Sequence, residues 1–344
     1  MRDSDATILV TGGAGYIGAH TCKALRRSGF VPVVFDNLST GHWNFVRWGP
    51  LVHGDIRDHA AVLDAINYCR ANAVIHFAAS ADVGESVTDP SKYYDNNVVG
   101  SLSLLRALVD SDCRKVVFSS TCAVYGEPTE LPITETSPLN PVNPYGASKM
   151  MVERILADYA LAYRLRSIAL RYFNASGADP VGELGELRDP ETKLIPRAMM
   201  AIQGHIADFA VFGNDYDTPD GTPIRDYIHV SDLAEAHVLA VRRLISGGPG
   251  GTFNLGTGQG FSVKEILDAI AAETGECLNA VEASRRPGDP PSLVADATLA
   301  RVELGFAPAC SDLKTIVQSS WAWHRRAHPK RAASTPKNLA PIGT

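Results

Sequence analysis

The chain has 344 residues, enough for one large or two ordinary domains with a sizeable core. Hydrophobic residues make up 45% and charged residues 20%, and 32 basic against 38 acidic side chains leave a formal net charge of -6, without the basic surplus that nucleic acid or an acidic membrane surface would select. No uncharged apolar run approaches a membrane span, and Met1 to Asp5 is charged where a secretory segment would be apolar, so a cytoplasmic protein with neither nucleic-acid nor membrane partners is expected.

In chain order, apolar β-branched runs alternate with longer amphipathic stretches. Thr7–Val10, Val31–Asp36, Ala73–Ala78, Lys115–Ser120 and Ser167–Tyr172 read as strands; Ile17–Ser28, Asp58–Arg70, Lys92–Asp110 and Pro144–Tyr163 read as helices. Uniformly apolar strands separated by helices predict an α/β fold with a doubly wound parallel sheet of the Rossmann type, covered on both faces. Beyond Asn174 the texture changes to Gly, Pro and acidic residues (GADPVGELGELRDPET). Shorter elements follow: helices near Leu194–His205, Ser231–Ile245 and Val263–Thr274, and a strand at Thr252–Leu255. The expected organisation is a nucleotide-binding domain over 1–174, a smaller α/β substrate domain over 175–328, with 225–245 packing back on the first, and a flexible tail over 329–344 that lacks apolar periodicity after Trp323. Cys22, Cys69, Cys113, Cys122, Cys277 and Cys310 form no CxxC pair, and the ten histidines form no HExxH or Cys/His cluster, so reduced thiols and no metal are expected.

Two motifs carry chemistry. In TILVTGGAGYIGAH, Gly12, Gly15 and Gly18 stand between the first strand and the first helix, where glycines allow a tight turn, close approach of a diphosphate and close helix–strand packing. Asp36 ends the second strand, eighteen residues after Gly18; a carboxylate there accepts from a ribose 2′-OH and repels a 2′-phosphate, which predicts NAD rather than NADP. In NPYGASK, Tyr145 and Lys149 lie four residues apart on one face of a helix, and a lysine or a positive nicotinamide ring near the phenol would bring it toward a working pKa. Ser119, Ser120 and Thr121 end the preceding strand, where ligands of open α/β sheets bind.

Together TGGAGYIG, Asp36-Asn37, GDIRD, HFAAS…VGESV, YYDNNV, SSTCAVYG, NPYGASK, RYFNASGADP and RDYIHVSDLAEAH resemble the UDP-galactose 4-epimerases of the extended short-chain dehydrogenase/reductase family, from about residue 7 to about 325. The resemblance implies a tightly held NAD, oxidation of the sugar at C4, rotation of the 4-keto sugar and reduction from its opposite face. It makes Tyr145 the base, Lys149 its electrostatic partner, and Thr121 a hydrogen-bonding partner of the reacting oxygen. It places Gly12, Gly15, Tyr16, Ile17 and Gly18 at the cofactor's diphosphate, Asp36 and Asn37 at the adenosine ribose, Asp55 and Ile56 at the adenine, and Phe77, Ala78, Ala79, Asn97, Ser119 and Phe173 along the cofactor cleft. For the UDP-sugar it implies Asn174, Lys193, Leu194, Phe212, Arg225, Arg286 and Asp289, with Leu293 as the wall that sets which sugars fit. A homodimer is implied too, through the helices Lys92–Asp110 and Lys149–Tyr163, whose apolar stripes, Leu102, Leu105, Leu108 and Val152, Ile155, Tyr159, are enough to cover the sheet and to pair across a two-fold, or serve only to cover their own sheet.

The sequence departs from the family pattern at three positions. Thr121 keeps a hydroxyl where many relatives have serine, Ala81 stands where some carry a lysine near the diphosphate, and Lys193 replaces an asparagine or histidine. Competing readings are a 4-epimerase of another UDP-sugar, a nucleotide-sugar dehydratase or a non-catalytic NAD-binding protein. A dehydratase needs an acid after the strand-end threonine, and here Cys122 and Ala123 follow it. A silent scaffold has no use for Thr121, Tyr145 and Lys149 together.

Overall fold

The computed structural model describes residues 6–286 and 288–329. In chain order the first part consists of β1 (Thr7–Thr11), α1 (Tyr16–Arg27), β2 (Val31–Asp36), β3 (Leu51–His53), α2 (His59–Cys69), β4 (Ala73–His76), α3 (Val83–Thr88), α4 (Pro90–Tyr93), α5 (Gly100–Asp110), β5 (Lys115–Thr121), α6 (Pro144–Tyr163) and β6 (Arg166–Tyr172). The second part adds β7 (Asn174–Ser176), α7 (Leu194–Ile202), β8 (Ala210–Phe212), β9 (Ile224–His229), α8 (Val230–Ile245), β10 (Gly251–Leu255), β11 (Gly260–Ser262), α9 (Val263–Thr274), β12 (Val281–Ala283), β13 (Ser292–Leu293), α10 (Thr298–Leu304) and α11 (Leu313–Ala327).

Seven parallel strands form the main sheet in the order β3-β2-β1-β4-β5-β6-β10. Successive residues of a strand face opposite sides, so Ile8 and Val10 join one apolar layer with Leu25, Leu233 and Val241, while Leu9 joins the other with Val62, Leu104, Leu108, Val152 and Leu156. α1 and α8 therefore cover one face, and α2, α5 and α6 the other. Leu105, Leu108 and Val152, three of the residues the sequence reading offers to a partner subunit, are spent on this inner layer.

The strand at Thr252–Leu255 is assigned by sequence to the smaller domain, yet β10 pairs with β6 and completes the main sheet. α8 is the crossover that makes this possible, because its buried stripe packs on α1 and on the sheet. Leu51–His53 is a short edge strand that sequence periodicity passes over, since three residues are too few to show a period. The helix expected over Lys92–Asp110 is three pieces: between α4 and α5 the turns widen to a π-helix at Tyr94–Val99. The buried Asn97 in that stretch reaches across to Ser80, accepting from its amide (2.8 Å) and donating to its carbonyl (3.0 Å). α11 runs past Trp323 to Ala327, and from Lys330 onward the expected tail lies outside the described residues. No helix among the described residues is long and apolar enough to cross a membrane.

In the smaller part β7, β9, β13 and β11 form one sheet, β8 and β12 pair separately, and α7, α9 and α11 pack around Ile195, Met199, Ile266, Ile270, Ile316 and Val317. Asp226, fully buried in β9, ties these pieces together. Its carboxylate accepts from the amide and hydroxyl of Thr257 (2.9 and 2.8 Å), the amide of Gly258 (3.0 Å) and the amide of Ala295 (3.2 Å), while burial pushes its pKa up. Removing the acceptor strands all these donors. Asp226→Ala is expected to lower the free energy of unfolding by about 3 kcal/mol, read from denaturant midpoints, whereas a loss below about 1 kcal/mol would mean that the loops are held by other contacts.

Candidate active site

The strand order reverses between β1 and β4, and the crevice at such a switch point, beyond the carboxyl ends of the strands, is where open α/β sheets bind ligands. A cleft of about 620 Å³ opens there. Its floor is built by the glycine loop. Gly12 has φ +72°, and a Cβ on it would lie 2.6 Å from the amide nitrogen of Ala78; a Cβ on Gly18 would lie 2.2 Å from the carbonyl oxygen of Gly12. α1 begins at Tyr16 with no side-chain cap and no acidic residue in its first turn, so its N-terminal amides and positive dipole end are left to an anion. The Asp36 carboxylate is aimed by the amides of Ala14 (3.0 Å) and Leu38 (2.8 Å), at the end of β2 and on the cleft wall. Capless helix end, close-passing glycines and a held carboxylate fit a dinucleotide.

Of the residues expected along the cofactor, Gly12, Gly15, Tyr16, Ile17, Gly18, Asp36, Asn37, Ile56, Phe77, Ala78, Ala79, Ser119, Tyr145 and Lys149 all line this cleft. Asp55, Asn97 and Phe173 do not. Asp55 stands behind Asn37, accepting from its side chain at 3.0 Å, and its ion pair with Arg57 holds its carboxyl far below the usual range. Asn97 braces the Ser80 backbone and donates to the Ser148 hydroxyl at 3.0 Å, acting from beneath. Phe173 is buried with Cys122, Val124, Tyr125, Ile133, Leu293 and Ala295.

At the far end of the cleft, α6 brings Tyr145 and Lys149 to the ends of β5 and β6. Asn143 caps this helix by accepting from the Gly146 amide (2.8 Å), and Pro144 opens its first turn, which fixes where Tyr145 begins its climb. Thr121 ends β5 beside the Tyr145 phenol and favours its ionisation, and the Lys149 ammonium donates to the Ser119 carbonyl at 2.9 Å, with its nitrogen 5.9 Å from the centre of the tyrosine ring. The expectation that Lys149 draws the phenol down is not met in the chain alone. Loss of water pushes Tyr145 up to about 12, opposed by Thr121 and the charge of Arg188, and pushes Lys149 down to about 7. The residue after Thr121 supplies no acid: burial lifts the Cys122 thiol to about 12.

Sequence reasoning missed the segment that roofs the cleft. Glu186, Leu187 and Arg188, in the acidic, glycine-rich run after β7, line it together with Lys193. The roof is tied to the nucleotide-binding part by Thr192 on Asp82 (2.8 Å), Arg188 near the same carboxylate (3.6 Å), His42 on the Leu187 carbonyl (2.7 Å), and Tyr16, whose hydroxyl donates to the Gly177 carbonyl (2.6 Å). Lys193 pairs with Glu186 at 2.7 Å and lies 5.5 Å from the centre of the Tyr16 ring, beside the anion-binding helix end. Glu191, buried next to Glu186, is lifted to about 7. The texture of the run signalled a loop, and nothing local signalled what it covers.

The remaining residues expected at the UDP-sugar sit off the cleft wall. Leu194 packs against the α7 core and Asn174 opens β7. Arg225 pairs with Asp289 rather than with its neighbours Asp226 or Asp232, and also donates to the Pro290 carbonyl at 2.8 Å. Arg286 lies over Phe212, its guanidinium carbon 4.2 Å from the ring centre. Leu293 pairs in register with Arg225 and is 8% exposed, its side chain in the cluster with Cys122 and Phe173.

Residues 8–256 match the model of the NAD dependent epimerase/dehydratase family. A UDP-glucose 4-epimerase of Rhizobium meliloti is 52% identical over 319 residues, covering 93% of this chain and 97% of that protein. The crystal structure of a UDP-glucose 4-epimerase from Brucella ovis in complex with NAD is 56% identical, with a TM-score of 0.90 over 92% of this chain and 98% of that one. A Bifidobacterium longum UDP-glucose 4-epimerase in complex with NAD+ and UDP is 38% identical, with a TM-score of 0.89 over 93% and 98%.

The geometry at Asp36 generates a test of cofactor choice. Asp36→Ala is expected to raise the affinity for NADP relative to NAD by about tenfold or more, measured by titration of the stripped protein, because both an acceptor for the ribose and a repulsive charge go. Equal affinities in the unaltered protein would remove that role from Asp36.

Proposed function

This chain belongs to the NAD dependent epimerase/dehydratase family, and we infer that it interconverts UDP-glucose and UDP-galactose by NAD-dependent epimerisation at C4. The observation that carries the reading is the meeting of Tyr145 and Lys149, with Thr121 ending the adjoining strand β5, at one end of the cleft whose other end holds the glycine loop and Asp36. NAD, when bound, supplies a two-electron acceptor for the hydrogen on C4 and a donor for its return.

The chain's own part is proton transfer and orientation. Tyr145 takes the O4 proton as C4 is oxidised to the ketone and gives it back when C4 is reduced, while Thr121 holds the oxygen by a hydrogen bond. At neutral pH burial keeps the free phenol protonated, so it acts as a base only while positive charge is close. Lys149 supplies that charge while it is protonated, anchored by the Ser119 carbonyl so that it can face both the phenol and a ribose. Dehydration lacks a carboxylate beyond Thr121, which favours epimerisation.

Asn174, Lys193, Leu194, Phe212, Arg225, Arg286 and Asp289 are proposed to hold the UDP part. Their support is that they gather on the smaller part of the molecule, with two arginines suited to a diphosphate. A homodimer is proposed as well, through the outward sides of α5 and α6 and the π-helical turn, where Val99, Met151, Leu161 and Tyr163 stay exposed.

Tyr145→Phe is expected to bind NAD and UDP-sugar as before and to lose roughly 10²–10⁴-fold in turnover of UDP-galactose; near-native turnover by the folded variant would sink the assignment. For sugar choice, UDP-glucose and UDP-galactose should be preferred over the N-acetyl pair by about 10–100-fold, Leu293→Ser should narrow the gap, and Leu293→Tyr should abolish the weaker activity. A ratio of kcat/KM values unmoved by both substitutions places the gate elsewhere.

A further inference from the structure

On α6 Tyr145, Lys149 and Glu153 follow at four-residue steps, so the three side chains rise along one line of the helix. Glu153 is held from two strands. Arg171 of β6 grips its carboxylate with Nε on Oε1 (3.0 Å) and Nη2 on Oε2 (2.5 Å), and the Ser120 hydroxyl of β5 donates to Oε1. The arginine is fixed in turn: it donates to the Tyr125 hydroxyl (2.9 Å) and the Glu135 carbonyl (3.3 Å), and Tyr125 donates to Asn254 (2.7 Å). The side chains of the pair are only 6% and 9% exposed. Stripping two charges of water costs several kcal/mol per ion and a well-packed apolar pair would hold helix to sheet at least as well, so stability is a weak reason for an ion pair here.

Position supplies a better one. The groups around Lys149 are His76 on β4, driven down to about 3 and so neutral, Ser119 on β5, whose carbonyl receives the ammonium, Tyr172 on β6, whose phenol burial pushes up, and Tyr145 and Glu153 on α6. Arg188, on the roof of the cleft, adds positive charge near the phenol. Among the described residues Glu153 is the carboxylate that acts on this lysine, and it opposes the burial that drives the ammonium toward deprotonation.

We propose that Glu153, clamped by Arg171 and Ser120, is a positioning residue of the reaction: one turn beyond Lys149, its carboxylate is the counter-charge that keeps the lysine an ammonium in a water-poor wall. This rests on the reading of Tyr145 and Lys149 as the acid–base pair. Arg171 shares the carboxylate and thereby limits how much of its charge the lysine feels.

The test uses Glu153→Gln, which keeps size and an acceptor for Ser120 while removing charge. In the enzyme with its cofactor, kcat for UDP-galactose is followed from pH 5.5 to 9.5, and the Lys149 titration is followed by NMR of lysine labelled at Cε, its resonance identified by its loss in Lys149→Met. Lacking the counter-charge, Lys149 should lose its proton about one pH unit or more lower, so that kcat falls by about tenfold or more at pH 8 and largely returns at pH 6. Glu153→Asp should restore much of the original profile. A loss of kcat that is uniform in pH, with the NMR midpoint unmoved, means a structural role and overturns the proposal. If Glu153→Gln does not fold, Arg171→Lys is read instead: a single donor in place of a fork frees charge toward Lys149 and moves the midpoint up, and an unmoved midpoint overturns the proposal again. Tyr145→Phe in the same series separates the two ideas. If it turns over normally, the acid–base assignment falls; if it is inactive beside an unmoved Glu153→Gln midpoint, only the role of Glu153 falls.

Discussion

Two stretches of backbone pass each other at Gly12 and Ala78 with no room for a methyl group between them. That contact brings the ends of β1 and β4 together, and the rest of the site is laid out from it. A side chain at Gly12 would push the loop away from β4, tilt the start of α1 and move its free amides off the line of the cleft. Because the strands are parallel and in register, the same closeness propagates sideways: Asp36 at the end of β2, Ser119 near the end of β5 and Leu170 of β6 come to one level, with Thr121 and Tyr172 side by side two residues further on. The chemistry of the site is thus set by a packing constraint between two residues of the cleft wall that carry no reacting group.

The second theme is charge held where water is scarce. At the cofactor end the positive pole is made of backbone, which cannot titrate, and the negative group, Asp36, is fixed by two amides. At the reacting end the charges are side chains that titrate. Tyr145 is pushed up to about 12 and Lys149 down to about 7, because burial disfavours whichever form is charged. A backbone-built grip at one end and a buried acid–base pair at the other suit an enzyme that must hold a cofactor through many turnovers while protons come and go.

Much of this was legible in the sequence because it depends on local spacing. Gly12, Gly15 and Gly18, the acid at the end of β2, and Tyr145 with Lys149 are patterns of a strand, a turn or one helical face, and each lies where its spacing implied. What escaped was non-local. β3 is too short to show a period, and β10 pairs with β6, almost eighty residues before it, in a sheet begun at β1. Glu153 reads as an ordinary solvated helix charge until β6 brings Arg171 under it, and Arg225 finds Asp289 rather than the acids beside it in sequence. The roof over the cleft is a loop whose composition says only that it is irregular. The stripe on α5 and α6 was ambiguous for a further reason: apolar residues at helical spacing describe a buried face without saying whether the sheet or a second subunit buries it.

The place of β10 in the sheet bears on how the chain can be made and divided. As the chain is synthesised from its N-terminus, everything up to Tyr172 can emerge with the outer edge of β6 unpaired and with the α1 side of the sheet still lacking α8. Both defects are mended by one later piece, α8 followed by β10, after the first strands of the smaller part have been laid down. A fragment ending near residue 174 would therefore be a sticky half-sheet and not an autonomous nucleotide-binding module. The two parts share a folding unit although they divide the work of binding, and a linker inserted between them would cut through a core.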